Sequence, residues 1–284
     1  MIDRLAARMP EAVKKPLRPL WRRGAWIRKA RTVRSYHSGR IPPGAIPYVL
    51  WDPEHENFTY DLANWDELTD VMAAALDIDR SAAERWAREA REDPVLARVG
   101  GRRQHRRARY GRRIGWYVAV RALRPSLVVE TGVHEGLGSA LLLRALQRNA
   151  PDGADGRLLS VDIDPKAGRV VPTSLRDRWE LVIGSSFDVL EPSIGERRVG
   201  VLVHDSDHTY DCERFELDVG LRHRADRIAL ITDNNHVTTA LDDILAEIGV
   251  QRHRFQERPR GHFYPGAALG IGVISRARQP QPSA

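Results

Sequence analysis

Short apolar runs alternate with helical segments over the second half of the chain. Five of these runs are continuous enough to be buried strands, and they are SLVVET (126–131), RLLSVDI (157–163), WELVIGS (179–185), VGVLVHD (199–205) and RIALITD (227–233). Apolar strands separated by helices are typical of a parallel sheet that is covered on both faces. The pattern therefore predicts a doubly wound, Rossmann-like α/β domain.

Two further strands are predicted near the C-terminus. QRHRFQER (251–258) and ALGIGVIS (268–275) are joined by the turn-rich PRGHFYPGA. Strands this close in sequence pair most readily as an antiparallel hairpin, which we expect at one edge of the sheet.

Helical spacing of apolar residues marks the segments ahead of the sheet. A helix is predicted after Asn64, which has Glu67 three residues on as in a capping box, and a second begins near Ser81 and stops before Pro94. Residues 110–124 form an amphipathic helix that ends ahead of Pro125. We divide the chain into a basic N-terminal arm (1–48), a small helical section (49–108), the α/β domain (109–278) and a disordered tail (279–284).

Charge is strongly segregated along the 284 residues. Residues 1–40 carry twelve Lys and Arg against two acids, and residues 101–124 carry nine Arg and no acid, whereas the whole chain has a net charge of only +7. The remaining residues are therefore acidic overall. Such basic stretches predict an anionic partner or a membrane surface, contacted through residues 1–40 and 102–113, although a solvated basic arm explains them equally well.

The location follows from composition. A single cysteine, Cys212, excludes a disulfide framework, and no apolar run reaches the ~18 residues of a membrane span. We expect a cytoplasmic protein, either free or bound peripherally to a membrane.

Ligands of open α/β sheets bind beyond the carboxyl ends of the strands. After the first run, Gly132 allows a sharp turn, Gly136 lets backbone approach a ligand, and Ser139 begins a helix. No Gly-Lys-Ser/Thr follows, so this is not a phosphate loop.

Two later strand ends complete the predicted pocket. Asp162 follows the second run at a distance suited to ribose hydroxyls, and Ser185 and Ser186 follow the third. Together with the glycine loop they predict a nucleoside site.

This series of motifs resembles the class I S-adenosylmethionine-dependent methyltransferases. The segments that carry the resemblance are VVETGVHEGLGSALLL, LLSVDIDP, LVIGSS and VLVHDSDHTY. They are most similar to the branch with macrocin O-methyltransferase-like enzymes and proteins called cephalosporin hydroxylases. The resemblance spans about residues 110–275 and implies a seven-stranded sheet with a C-terminal reversed hairpin.

The resemblance also assigns roles around the cofactor. It implies that Glu130 and Gly132 flank the methionine part of S-adenosylmethionine, that Asp162 binds the ribose, and that Ser185 and Ser186 border the adenine. It further implies a homo-oligomer, because this fold often pairs through N-terminal helices.

Acidic and amide side chains follow the fourth and fifth runs. Asp205 ends the fourth, and Asp233 with Asn234 ends the fifth. Adjacent strands lie ~4.8 Å apart, so these oxygens can converge on Mg²⁺ or another hard divalent cation. The arrangement resembles the metal-dependent catechol and caffeoyl-CoA O-methyltransferases, in which such residues hold Mg²⁺ against two substrate oxygens. Strand-end aspartates are also common helix caps.

His208 is the predicted general base. Catechol methyltransferases carry a lysine three residues past the first aspartate, and this chain has His208 there. A neutral imidazole can take a hydroxyl proton as the methyl group transfers, with Asp205 as the other catalytic residue. We therefore expect metal-assisted O-methylation of a small molecule or glycoside.

Other functions fit parts of the sequence. The arginine-rich patch 102–113 favours a methyltransferase that binds RNA or another polyanion. An NAD-dependent oxidoreductase is disfavoured because the glycines do not follow the dinucleotide spacing. A degenerate fold that binds cofactor without reacting is disfavoured by the intact acids Glu130, Asp162, Asp205 and Asp233.

Overall fold

The computed structural model describes residues 60–100, 109–260 and 266–275. The basic arm 1–48, most of the arginine-rich patch and the tail 279–284 lie outside them, as does the start of the helical section 49–108. Glu56–Ala284 form one compact unit, which contains residues 56–108 of the predicted helical section together with the predicted α/β domain.

A seven-stranded sheet lies at the centre of this unit. Its strands are β1 (Leu127–Thr131), β2 (Arg157–Asp162), β3 (Trp179–Ile183), β4 (Val199–His204), β5 (Arg224–Thr232), β6 (His253–Gln256) and β7 (Ala268–Ser275). The order across the sheet is β3-β2-β1-β4-β5-β7-β6. Strands β1 to β5 pair in parallel, and β7 runs antiparallel to both β5 and β6. The predicted Rossmann-like fold and its C-terminal antiparallel hairpin are confirmed.

Helices cover the sheet. In the described residues they are α1 (Trp65–Leu76), α2 (Arg80–Glu92), α3 (Pro94–Gly100), α4 (Ile114–Leu123), α5 (Leu137–Asn149), α6 (Ser186–Ile194), α7 (Tyr210–Arg222) and α8 (Ala240–Glu247). Leucine, isoleucine and valine side chains of β1, β2, β4 and β5 pack against α6, α7 and α8 to form the main core.

The helix predicted over 110–124 differs from expectation in two ways. Gly111–Arg113 form a 3-10 turn, and the α-helix begins only at Ile114. Residues 114–120 are all buried, so the helix is not amphipathic. The reason is that α1, α2, α5, β4 and β5 all pack on α4.

The first described residues extend the sheet edge. Leu62 forms a bridge with Pro259, and the amide of Ala63 donates to the carbonyl of Arg258 at 2.7 Å. Asn64 flanks α1 as predicted, but its side chain donates to the carbonyl of Gln256 at 2.9 Å and to Glu67 instead of capping the helix backbone. This stretch therefore ties the helical section to β6.

Strand register aligns the chemistry-bearing residues. Thr131 of β1, His204 of β4 and Thr232 of β5 stand side by side. The amide of Asp205 donates to Thr131 and that of Asp233 donates to His204, both at 2.9 Å. Gly132, Asp205 and Asp233 therefore follow one another along the carboxyl edge of the sheet. No helix among the described residues has the length and apolar character to cross a membrane.

Candidate active site

The glycine loop after β1 is packed against the end of β4. Gly132 has a φ of +80°, and a Cβ there would lie 2.0 Å from the carbonyl oxygen of Asp205. Gly136, with a φ of +98°, precedes α5 and lies against Gly168. Both positions require glycine, because the backbone is left-handed and the neighbouring backbone leaves no room for a side chain.

Asp162 at the end of β2 organises the same loop. Its Oδ2 accepts the backbone N–H groups of Val133 at 2.7 Å and of His134 at 2.8 Å. Its Oδ1 accepts the amide of Asp164 at 2.8 Å. A carboxylate has about four acceptor positions, so Asp162 retains capacity for further donors at the open edge.

Glu130 lies inside the protein rather than at the open edge. Its Oε2 accepts the hydroxyls of Ser139 at 2.6 Å and of Ser160 at 2.7 Å, and all three side chains are buried. Burial raises the pKa of Glu130 to about 7, with Asp162 acting in the same direction and the two hydroxyls and Arg113 opposing it. Ser139 is therefore engaged with Glu130.

The raised pKa predicts a pH-dependent stability. A carboxyl whose pKa is higher in the folded state favours folding most at low pH, and that contribution is lost as pH rises through about 7. Replacing Glu130 with Gln removes the titration. Between about pH 5 and pH 8.5, the free energy of unfolding of the wild type should fall by about 2 to 3 kcal/mol relative to Glu130→Gln. Urea unfolding of both proteins across this range measures the difference, and a constant difference contradicts the assignment.

Two apolar side chains beside this loop were missed by sequence reasoning. Ile163 follows Asp162 and is 76% exposed, and Phe187 in the first turn of α6 is 54% exposed. They stand near the half-buried Ser185 and Ser186, which follow β3 at the same edge. The available sequence signal was an apolar residue directly after Asp162 and another directly after Ser186, because strand ends that face only water would more often carry polar side chains.

Arg112 was predicted to belong to a basic surface patch, but it is buried among acids and other polar groups. Its guanidinium is 4% exposed. Its Nε donates to Oδ1 of Asp233 at 2.8 Å, and its Nη2 donates to Oδ2 of Asp233 and, at 3.1 Å, to Oδ1 of Asn234. Its Nη1 donates to Glu257 at 2.5 Å and to the hydroxyl of Tyr60 at 3.1 Å.

Arg113 makes looser contacts beside the same acids. Its Nη2 lies 3.3 Å from Oδ2 of Asp205 and 3.7 Å from Oδ2 of Asp233. Burial and the negative charge of Asp233 hold the pKa of Asp205 well above its usual range, against the opposing effect of Arg113 and Arg112. Asp205 is 18% exposed and is the acid of this group that solvent or a ligand can reach.

The paired arginines bear on the predicted polyanion site. Arg112 and Arg113 were counted in the basic patch 102–113, yet both are engaged with acids at the strand ends. The structure therefore corrects that patch at these two positions, because their charges are already neutralised. Residues 101–108 lie outside the described part of the chain.

His208 lies next to these acids. Its Nε2 is 2.8 Å from Nδ2 of Asn234 and 3.8 Å from Oδ1 of Asp205. Since Oδ1 of Asn234 accepts from Arg112, its Nδ2 is the donor to His208. Burial and the neighbouring His204 lower the pKa of His208 to about 3, so the imidazole is neutral and weakly basic.

Comparison with known proteins assigns the central part of this fold. Residues 129–235, which run from β1 through the end of β5, match a family model described as a methyltransferase domain. The match contains Glu130, the glycine loop, Asp162 and the strand-end acids. The strand order with an antiparallel β7 is the one expected for class I. This stretch of the chain is therefore similar to a methyltransferase domain, and the strand order agrees with that similarity.

Solved structures of methyltransferases are similar to between 68% and 75% of this chain, at low sequence identity. A candidate O-methyltransferase from Klebsiella pneumoniae is 16% identical, with 68% of this chain and 98% of that chain covered and a TM-score of 0.49. The O-methyltransferase from Bacillus cereus, solved with S-adenosylhomocysteine, is 14% identical, with 72% and 91% covered and a TM-score of 0.46. The O-methyltransferase TomG from Streptomyces achromogenes, involved in tomaymycin synthesis and solved with S-adenosylmethionine, is 14% identical, with 75% and 91% covered and a TM-score of 0.43.

No curated protein matches the chain.

The residues that follow β4 and β5 do not fit the predicted binding of Mg²⁺. Asp205, Asp233 and Asn234 do lie together, but the guanidinium of Arg112 takes both carboxylate oxygens of Asp233 and the amide oxygen of Asn234. Within the described residues, no group of three or more His, Cys, Asp or Glu side chains is arranged to hold a metal ion. The oxygen atoms of Asp233 and Asn234 that a metal ion would need accept hydrogen bonds from Arg112. The structure therefore does not support metal assistance.

Proposed function

We propose that this domain transfers the methyl group of S-adenosylmethionine to a hydroxyl of a small molecule or sugar. The observation that carries the proposal is the contact between the glycine loop and the acid beyond β4. Gly132 packs directly on the backbone of Asp205, and the Asp205 side chain remains reachable. A proton acceptor therefore stands beside the loop expected to hold the methyl donor.

The cofactor side of the site consists of residues from three strand ends. We propose that Asp162 accepts the ribose hydroxyls while holding the loop amides of Val133 and His134. Ile163 and Phe187 would cover the faces of the adenine, with Ser185 and Ser186 at its edge. The fit rests on their exposure, because an adenine ring would remove this apolar surface from water.

The remaining predicted cofactor residues are proposed to act on the loop itself. Gly132 and Gly136 allow its backbone to turn. Ser139 donates a hydrogen bond to Glu130 beneath the loop, and this contact keeps the start of α5 in place. We propose that Glu130 supports the methionine part of the site from below, since its carboxylate is buried.

Asp205 is the proposed proton acceptor. When bound, the cofactor supplies an electrophilic methyl group on a sulfonium. Asp205 takes the hydroxyl proton as the acceptor oxygen bonds to the methyl carbon, and the electron pair of the broken carbon–sulfur bond stays on sulfur. Arg113 orients the carboxylate through its contact with Oδ2 at 3.3 Å.

His208 has a positioning role in this proposal. Its Nε2 lone pair already accepts the Asn234 amide, so it is not available to a substrate hydroxyl. The imidazole instead fixes Asn234, which in turn contacts Arg112. This differs from the general-base role predicted for His208 from the sequence.

The test is a comparison of Asp205→Asn with His208→Gln. Transfer of labelled methyl to a panel of hydroxylated aromatics and glycosides identifies an acceptor. With that acceptor, Asp205→Asn is expected to lower kcat by about 10² to 10⁴. S-adenosylhomocysteine affinity should stay within about twofold, because Asp205 touches the loop through its backbone.

The control variant separates the two candidate bases. His208→Gln should lose less activity than Asp205→Asn, because glutamine can still accept from Asn234. Full activity of Asp205→Asn together with loss in His208→Gln would contradict the proposal. A panel that includes RNA also tests the polyanion alternative.

A further inference from the structure

The oxygens around Arg112 form the kind of shell that a hard cation takes. The guanidinium contacts the two carboxylate oxygens of Asp233, the amide oxygen of Asn234, a carboxylate oxygen of Glu257 and the hydroxyl of Tyr60. All of these ligands are oxygen, two of the residues are acids, and the group is buried. Divalent cations such as Mg²⁺ and Mn²⁺ prefer this chemistry.

The position of Arg112 is fixed by its own backbone. Its amide donates to Oε2 of Glu257 at 3.1 Å. The preceding Gly111 has a φ of +53°, and a Cβ there would lie 2.5 Å from the ring of Tyr60. The turn Gly111–Arg113 therefore directs the guanidinium to the ends of β5 and β6.

Glu257 is held equally firmly. Its Oε1 accepts the hydroxyl of Tyr60 at 2.6 Å and the amide of Ala267 at 2.8 Å. Displacing Arg112 would leave Asp233 and Glu257 as two buried carboxylates without their shared cation, which is costly. A metal ion cannot take the Asp233 and Asn234 oxygens while Arg112 remains.

We infer that Arg112 is a resident cation that closes the strand-end oxygen site to divalent metals, and that removing its charge opens the site to them. The consequence, that methyl transfer here needs no divalent metal, rests on the proposed function.

Manganese titration monitored by electron paramagnetic resonance tests the inference on the full chain. The wild type should bind no stoichiometric Mn²⁺ that depends on Asp233. Arg112→Met should bind one additional Mn²⁺, at least about tenfold more tightly than any weak Mn²⁺ binding of the wild type, because two acids and neutral oxygens become available. Arg112→Lys, which keeps a cation, is the matched control and should behave as the wild type. Adding Asp233→Asn to Arg112→Met should remove the new site.

Two results would overturn the inference. One is a stoichiometric Mn²⁺ in the wild type that is lost in Asp233→Asn. The other is a folded Arg112→Met protein that binds no Mn²⁺. If Arg112→Met does not fold, the wild-type and Asp233→Asn titrations decide alone: an Asp233-dependent ion overturns the inference, and its absence supports it. S-adenosylhomocysteine binding measured on the same wild-type samples reports separately on the proposed function.

Discussion

Replacing Gly132 with alanine is expected to weaken binding at the proposed cofactor site strongly. The new Cβ would stand 2.0 Å from the carbonyl oxygen of Asp205, so β1 and β4 would have to separate at their carboxyl ends. A displacement of about 1 Å in a binding or reacting group can cost on the order of 100-fold, and we expect S-adenosylhomocysteine affinity to fall by about that factor. Calorimetric titration measures the affinity.

Gly153→Ala is the matched control for this substitution. Gly153 has a φ of +81°, nearly that of Gly132, but no atom lies within 4 Å of its Cβ position. The two alanines therefore carry the same backbone strain, of about 1 to 2 kcal/mol, and differ only in the contact. Gly153→Ala should bind S-adenosylhomocysteine like the wild type. Equal affinities of the two variants would show that the Gly132 contact does not maintain the site.

Replacing Arg112 with methionine is expected to lower the free energy of unfolding by about 3 to 5 kcal/mol. The reason is that Asp233 and Glu257, both fully buried, lose the cation between them. The bidentate contact to Asp233 and the bond to Glu257 cannot be replaced by a thioether. Chemical denaturation with urea measures the loss, in the absence of divalent metal.

Arg80→Met controls for the removal of an arginine with acidic partners. Arg80 contacts Asp66, Asp70 and Glu84, but its side chain is 47% exposed. Exposed ion pairs contribute little to stability, so the free energy of unfolding of this variant should remain close to that of the wild type. Losses of equal size in the two variants would contradict the account of Arg112 as a buried cation.

The sheet was predictable because its signals are local. Each parallel strand is a short apolar run, and the two C-terminal runs are close enough in sequence to pair as a hairpin. The positions of Gly132, Asp205 and Asp233 followed from the same fact, since the carboxyl ends of parallel strands meet at one edge. The structure places all three there.

The identity of the cation at that edge was not predictable from local signals. Arg112 is one of nine arginines in residues 101–124, which contain no acid. The composition of that stretch indicates a surface patch. The partners of Arg112 in the structure are Glu257, 145 positions away in the sequence, and Asp233, 121 positions away. Long-range partners of this kind leave no spacing pattern, although the glycine before two arginines marks an unusual turn.

The burial of α4 also escaped prediction. Its sequence IGWYVAVRAL has apolar residues on most sides. A helix that is apolar on most sides is typically buried all round, so the composition of this segment carried the signal that the prediction of an amphipathic helix missed. Which helices cover it, α1 and α2 among them, depends on packing between separate segments and is not contained in the periodicity of one segment.

Titration of S-adenosylhomocysteine into the purified full chain tests the central claim most directly. The account predicts stoichiometric micromolar binding that is unchanged by a metal chelator and lost in Asp162→Ala, with thermal unfolding used to confirm that the variant is folded. Binding that requires a divalent metal would contradict the role given to Arg112. Absence of binding to the wild type, with or without metal, would contradict the assignment of this site to a methyl donor.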